Sequence, residues 1–191
     1  MSFHFGFSKK DITPGFPTCL ACSQQKDTLY KRVLDHIFVR CTILKNNDRY
    51  NVILSYDLLF HSREIYDFVY HHINKIYNIK RSDILINYTH DHNAPSVLGY
   101  NDFSASDRYE EILKEKTIMA LNEAFDKLEP GIMEYGYIAG DWNINRRKPT
   151  DAGIKLAPNP SGPADKNIYI LKLTDHNKKI KGLIINYACH P

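Results

Sequence analysis

Ile84-Leu85-Ile86-Asn87-Tyr88-Thr89-His90-Asp91-His92-Asn93-Ala94-Pro95 is the stretch on which the reading of the fold turns. Its apolar opening reads as a short buried strand, and Asn93-Ala94-Pro95 then turns the chain sharply. On a strand, residues i and i+2 point to the same side, so His90 and His92 fall on one face where the strand ends. Immediately before it the pattern is helical. Ser62 serves as N-cap, and Ile65, Phe68, Val69, His72 and Ile76 recur at three- and four-residue steps, with His71 facing out. Before that helix, Val52-Ile53-Leu54 forms a strand that runs out at Asp57.

Working outward, residues 3–7 alternate as a strand that enters the turn Asp11-Ile12-Thr13-Pro14-Gly15. Ile37, Val39, Cys41 and Ile43 alternate with their neighbours, and Asn46-Asn47-Asp48 turns this strand back into Val52-Ile53-Leu54 as a hairpin. A second helix starts near Ser106, with Asp107, Glu110 and Glu111 at its positive end. Its buried stripe is Ile112, Leu113, Ala120, Leu121, Ala124 and Leu128, and Glu129-Pro130-Gly131 stops it. Strands resume over residues 133–138, 168–173 and 183–187. Residues 148–166, rich in Pro, Gly, Asn and Asp, read as one long surface loop.

Composition narrows the function classes. At 191 residues with 43% hydrophobic content the chain can bury a sizeable core, which argues against disorder. The net charge of +3 comes from scattered Lys and Arg, so no nucleic-acid partner is expected. No apolar run reaches the roughly 18 residues of a membrane span. No leader peptide is visible at Met1-Ser2-Phe3-His4-Phe5, so the simplest address is the cytoplasm, with secreted and membrane-associated locations left open. Cys19 and Cys22 form a CxxC that nothing nearby completes as a structural zinc site, while Cys41 and Cys189 read as buried small hydrophobes.

Three motifs carry candidate chemistry. Neutral imidazoles at the carboxyl end of a strand suit a divalent ion such as zinc with an open position for water; the other reading of His90 and His92 is a pair of hydrogen-bonded loop histidines. His190, in Ala188-Cys189-His190-Pro191, has a similar setting, because residues 182–187 read as a core strand and the histidine emerges at its end. Asn143-Ile144-Asn145-Arg146-Arg147 follows the single tryptophan, Trp142, and offers a guanidinium fork suited to an oxyanion or a carboxylate. Asp57 and Asp11 each have two readings, as support for a ligand histidine or as a local cap. His36, His61 and His176 are surface residues. No Gly-rich phosphate loop, nucleophile elbow or heptad seam is present.

Taken in order, six motifs resemble the neutral/alkaline, non-lysosomal ceramidase family. They are Asp11-Ile12-Thr13-Pro14, residues 52–58, the strand into Thr89-His90-Asp91-His92, Asn143-Ile144-Asn145-Arg146-Arg147, Gly162-Pro163-Ala164-Asp165, and residues 186–191. The resemblance runs from near residue 4 to the last residue. It implies a zinc-dependent amidase that cleaves the N-acyl bond of ceramide or a similar N-acyl lipid, with a peripheral membrane contact as the most intimate relation to a bilayer. On the family's pattern His90 and His190 would be zinc ligands, and His92 and Arg146 would lie at the catalytic centre beside the scissile amide. The sequence departs from the family where Asp91 and Asn93-Ala94-Pro95 flank the histidines, which bears on substrate preference. The family's remaining zinc ligands, a glutamate and a tyrosine, come from beyond this stretch. The expectation is therefore an α/β fold, a mixed β-sheet core with at least two packed helices. Residues 1–191 would form the incomplete N-terminal part of a larger catalytic domain, inactive by itself.

Overall fold

Val39, Cys41 and Ile43 are buried on one strand and Val52, Leu54 and Tyr56 on the next, so the alternation seen in the sequence closes into a hairpin around Asn47, whose φ of 52° makes the turn. The computed structural model describes residues 3–22, 29–60, 62–97 and 107–190; His61, Ser106 and Pro191 lie outside them. The chain divides into two compact units, Met1–Pro130 and Gly131–Pro191.

In the first unit, β1 (Phe3–Asp11), β2 (Phe38–Asn46), β3 (Arg49–Tyr56), β4 (Ile84–Tyr88) and β5 (Glu129–Pro130) form one mixed sheet in the order β4-β3-β2-β1-β5. The neighbours are antiparallel except β3 and β4, which run parallel from Val52↔Ile84 to Tyr56↔Tyr88. Their crossover is α1 (Arg63–Tyr77), capped by the Ser62 hydroxyl accepting from the Ile65 N–H at 3.2 Å and closed by Asn78 at φ 53°. This is the helix expected from the sequence, but its buried stripe is Ile65, Val69 and Ile73. Ile76 falls on the same arc at 100° per residue but lies in the last turn of the helix and is 55% exposed.

The second helix, α2 (Asp107–Asp126), packs on β1 and β2 and touches α1. It buries Leu113, Ala120, Leu121 and Ala124 as read from the sequence, and also Tyr109, Thr117 and Phe125. Close approach to β1 depends on Gly6, where a Cβ would overlap the Ala124 carbonyl oxygen. Glu129-Pro130, expected only to stop the helix, also pairs with β1 as a short edge strand, a position that tolerates proline. β4 is the opposite edge and Leu85 on it is 59% exposed, so this strand is half-buried rather than buried.

In the second unit, β6 (Ile132–Ala139), β9 (Asn167–Thr174) and β10 (Ile180–Tyr187) form an antiparallel sheet in the order β10-β9-β6. β10 is an edge strand with Leu183 and Ile185 exposed, not the core strand expected. The expected loop over residues 148–166 is largely a hairpin of β7 (Asn145–Thr150) and β8 (Gly153–Asn159). Main-chain pairing sets this hairpin. Pro149 sits in a two-stranded ribbon where its missing N–H is tolerated, and Gly153 at φ 104° makes the reversal that only glycine adopts without strain.

Candidate metal centre

Pairing of β3 with β4 continues past the last residues of both strands. The Thr89 N–H donates to the Tyr56 carbonyl at 2.9 Å, and the His90 N–H to the Leu58 carbonyl at 3.0 Å. His90 thus stands at the carboxyl end of a parallel pair, the edge where α/β sheets hold their ligands. Its φ of 66° is a left-handed value uncommon for a non-glycine residue, so the motif is a tight turn rather than the extended continuation that would align His90 and His92 by strand geometry.

The turn brings the two rings together by another route. Asp91 Oδ1 accepts from the Asn93 N–H at 2.9 Å, folding the chain back, and the His90 and His92 rings stand 4.9 Å apart at 81°. Their candidate ligand nitrogens lie within 4.8 Å of each other. His90 Nδ1 lies 3.2 Å from the Leu59 carbonyl oxygen. A carbonyl can only accept, so Nδ1 carries the proton and Nε2 presents its lone pair, the arrangement in which protein imidazoles bind metals. Downstream, the Ala94 carbonyl accepts from the Ala21 N–H at 2.9 Å and the Ser96 N–H donates to the Cys19 carbonyl at 2.9 Å. Cys19 therefore serves the turn through its main chain, and all four cysteines are free thiols. Cys41 is buried as expected, with its thiol pushed well up by burial, whereas Cys189, beyond an edge strand, is exposed.

A cavity of about 360 Å³ opens beside the turn, lined by Asp91 and Asn93 together with Thr13, Pro14, Tyr30 and Leu34. The Asp11 motif shapes this wall. Asp11 accepts from the Thr13 N–H at 2.8 Å and from His36 Nδ1 at 2.6 Å. Burial raises its pKa, but hydrogen bonds from Thr13 and His36 outweigh that and hold it below the usual carboxylate value. Asp57 accepts from the Phe38 N–H at 2.9 Å and from Arg40 at 2.7 Å. These contacts make Asp11 a local cap and Asp57 an anchor between β2 and β3. The helix cap is Ser62.

His190 and Arg146 belong to the second unit, and both are exposed. Arg146 lies in β7 opposite a register shift, since Asn145 pairs with Asn159 but Arg147 with Leu156; such bulges re-aim the side chains around them. The motif loops are knotted by amides. Asn145 Nδ2 donates to the Pro163 carbonyl at 2.9 Å, and Asn143 Nδ2 donates to the Asp165 carbonyl at 2.7 Å and to the Ala188 carbonyl at 2.6 Å. The Tyr187 hydroxyl accepts from the N–H groups of Trp142 and Asn143, each at 3.0 Å. The sequence places Asn143 and Tyr187 inside their motifs but gives neither a role, because their partners lie 22 to 45 residues away along the chain.

No protein-family model matches the sequence, and no curated protein matches it. Solved structures do. A neutral ceramidase from Pseudomonas aeruginosa superposes with a TM-score of 0.81 at 15% identity, over 99% of this chain and 32% of the other. A ceramidase complexed with C2 gives 0.79 at 18% identity, over 99% and 31%. The chain has a ceramidase-like fold. It spans about a third of the length of those solved structures. Among the described residues no helix is long and apolar enough to cross a membrane.

Proposed function

We propose that this chain is the N-terminal part of a ceramidase-like zinc amidohydrolase that cleaves the N-acyl bond of ceramide or a similar lipid amide to sphingosine and fatty acid. The observation that carries the reading is the contact of His90 at the end of the parallel strand pair, with Nδ1 on the Leu59 carbonyl, which assigns the metal-ligand role to Nε2. His90 and His190 would hold the ion. Zinc, when bound, supplies a Lewis acid for the acyl carbonyl and a water nucleophile at neutral pH.

The chain's own residues account for the remaining steps. Arg146, a permanent cation with a planar fork of donors, steadies the negative charge that develops on the acyl oxygen. His92, half-buried and in ring contact with His90, takes a proton from the attacking water at a ring nitrogen. It returns that proton to the amine nitrogen as the C–N bond breaks, so the products are the free amine and the carboxylic acid. The polar pair Asp91 and Asn93 at the cavity favours a second reading, in which the same chemistry serves a non-lipid N-acyl substrate.

The test is hydrolysis by the intact protein, with N-acylsphingosine and short N-acyl amides as competing substrates. Acid release from N-acylsphingosine, lost in His92→Ala and Arg146→Ala, is expected. Turnover of the short amides alone would move the assignment to the second reading, and turnover of neither would refute both.

A further inference from the structure

We propose that Asn143 is a positioning residue for the metal centre. It fixes the main chain that delivers His190 against the loop that delivers Arg146, and the proposal rests on the reading of His190 as a zinc ligand. The carboxamide has two N–H donors, and each goes to a carbonyl from a different motif, Asp165 at 2.7 Å and Ala188 at 2.6 Å. Only this orientation works, because a flipped amide would press its oxygen against two carbonyl oxygens. Oδ1 is buried without a hydrogen-bond partner, so the amide leaves its own acceptor unsatisfied while both donors are used. The Asn143 main chain is tied to the same strand end, since its N–H and that of Trp142 donate to the Tyr187 hydroxyl. Residues 142–143 are thus joined to residues 187–188 by three hydrogen bonds, the last of them two residues short of His190.

The surroundings argue for positioning rather than bulk stability. Trp142 is 75% exposed, and Ala188, Cys189 and His190 are exposed, so little apolar burial holds this strand end in place. Hydrogen bonds are what order it. Arg146, three residues beyond Asn143, is ordered by the same knot through Asn145 and the Pro163 carbonyl.

The experiment is zinc titration of the intact protein, together with the visible spectrum of the cobalt(II) form, for wild type, Asn143→Ala, Asn143→Asp and His190→Ala. Removing a residue that orients a ligand costs about 10–100-fold in metal affinity, and that loss is expected for Asn143→Ala and Asn143→Asp with thermal unfolding of the metal-free protein little changed. Asn143→Ser keeps one donor and should lose less, which provides a reading if the alanine variant folds poorly. Wild-type zinc affinity and an unshifted cobalt spectrum in Asn143→Ala or Asn143→Ser, with affinity lost in His190→Ala, would overturn the positioning role and leave the ligand assignment standing. Unchanged affinity in His190→Ala would overturn both.

Discussion

His90 Nδ1 faces the Leu59 carbonyl oxygen at 3.2 Å, and the two residues follow the ends of the parallel strand pair. The contact fixes the tautomer before any ion arrives. Long-range nitrogen–proton NMR on the metal-free protein above the histidine titration should show His90 protonated at Nδ1. A proton on Nε2 would remove the donor assigned to the metal.

Thr117 is fully buried on α2, and its hydroxyl meets the Tyr56 hydroxyl at 2.8 Å. Tyr56→Phe keeps the ring but strands the threonine, so a loss of about 1–3 kcal/mol is expected from denaturant unfolding. Thr117→Val strands the phenol in the same way. The double variant should cost less than the sum of the two, because it removes both unsatisfied groups. Strict additivity would mean that the pair contributes nothing specific.

Gly6 tests the seating of α2. An alanine Cβ would overlap the Ala124 carbonyl oxygen, which is main chain and cannot rotate away. Gly6→Ala should destabilise the fold by about 3 kcal/mol or more, at the top of the overpacking range. A change below about 1 kcal/mol would show that β1 and α2 are farther apart than described.

Acid sensitivity should trace in part to Glu123 on α2, which pairs with Lys10 on β1 and with Lys127. Hydrogen bonds from Lys10 and then Lys127 hold its carboxyl at about 2 against an ordinary 4.5. A depressed folded-state pKa means that the stabilisation is fully present above pH 4.5 and fades as pH falls toward 2. The thermal midpoint of Glu123→Gln should therefore lie below wild type at neutral pH and converge with it on acidification. Curves that stay parallel down to pH 2 would exclude the linkage.

Local patterns carried much of the fold in the sequence. The Asn46-Asn47-Asp48 turn, the Ser62 cap and the three- and four-residue spacing of Ile65, Phe68, Val69 and His72 are decided by neighbours along the chain, and the α/β fold read from them is the fold found. What escaped was decided across the chain. Ile154 and Leu156 form a ribbon through pairing with residues 147–149, which composition alone cannot show against so much Pro and Gly. Whether Leu85 and Ile185 are covered depends on which strands stand at sheet edges, a property of topology. At the candidate site, the histidine turn was visible as a motif, yet its left-handed His90 and the Leu59 acceptor were not. Asn143 looked like one of several loop asparagines until Ala188 appeared opposite it.

Zinc content most directly tests the central claim that His90 and His190 belong to one metal-dependent hydrolytic centre. The intact protein, purified without added chelator, should carry stoichiometric zinc by elemental analysis, and His90→Ala and His190→Ala should each lose most of it while staying folded by circular dichroism. Wild-type zinc in both variants, or none in the parent after reconstitution, would contradict the account.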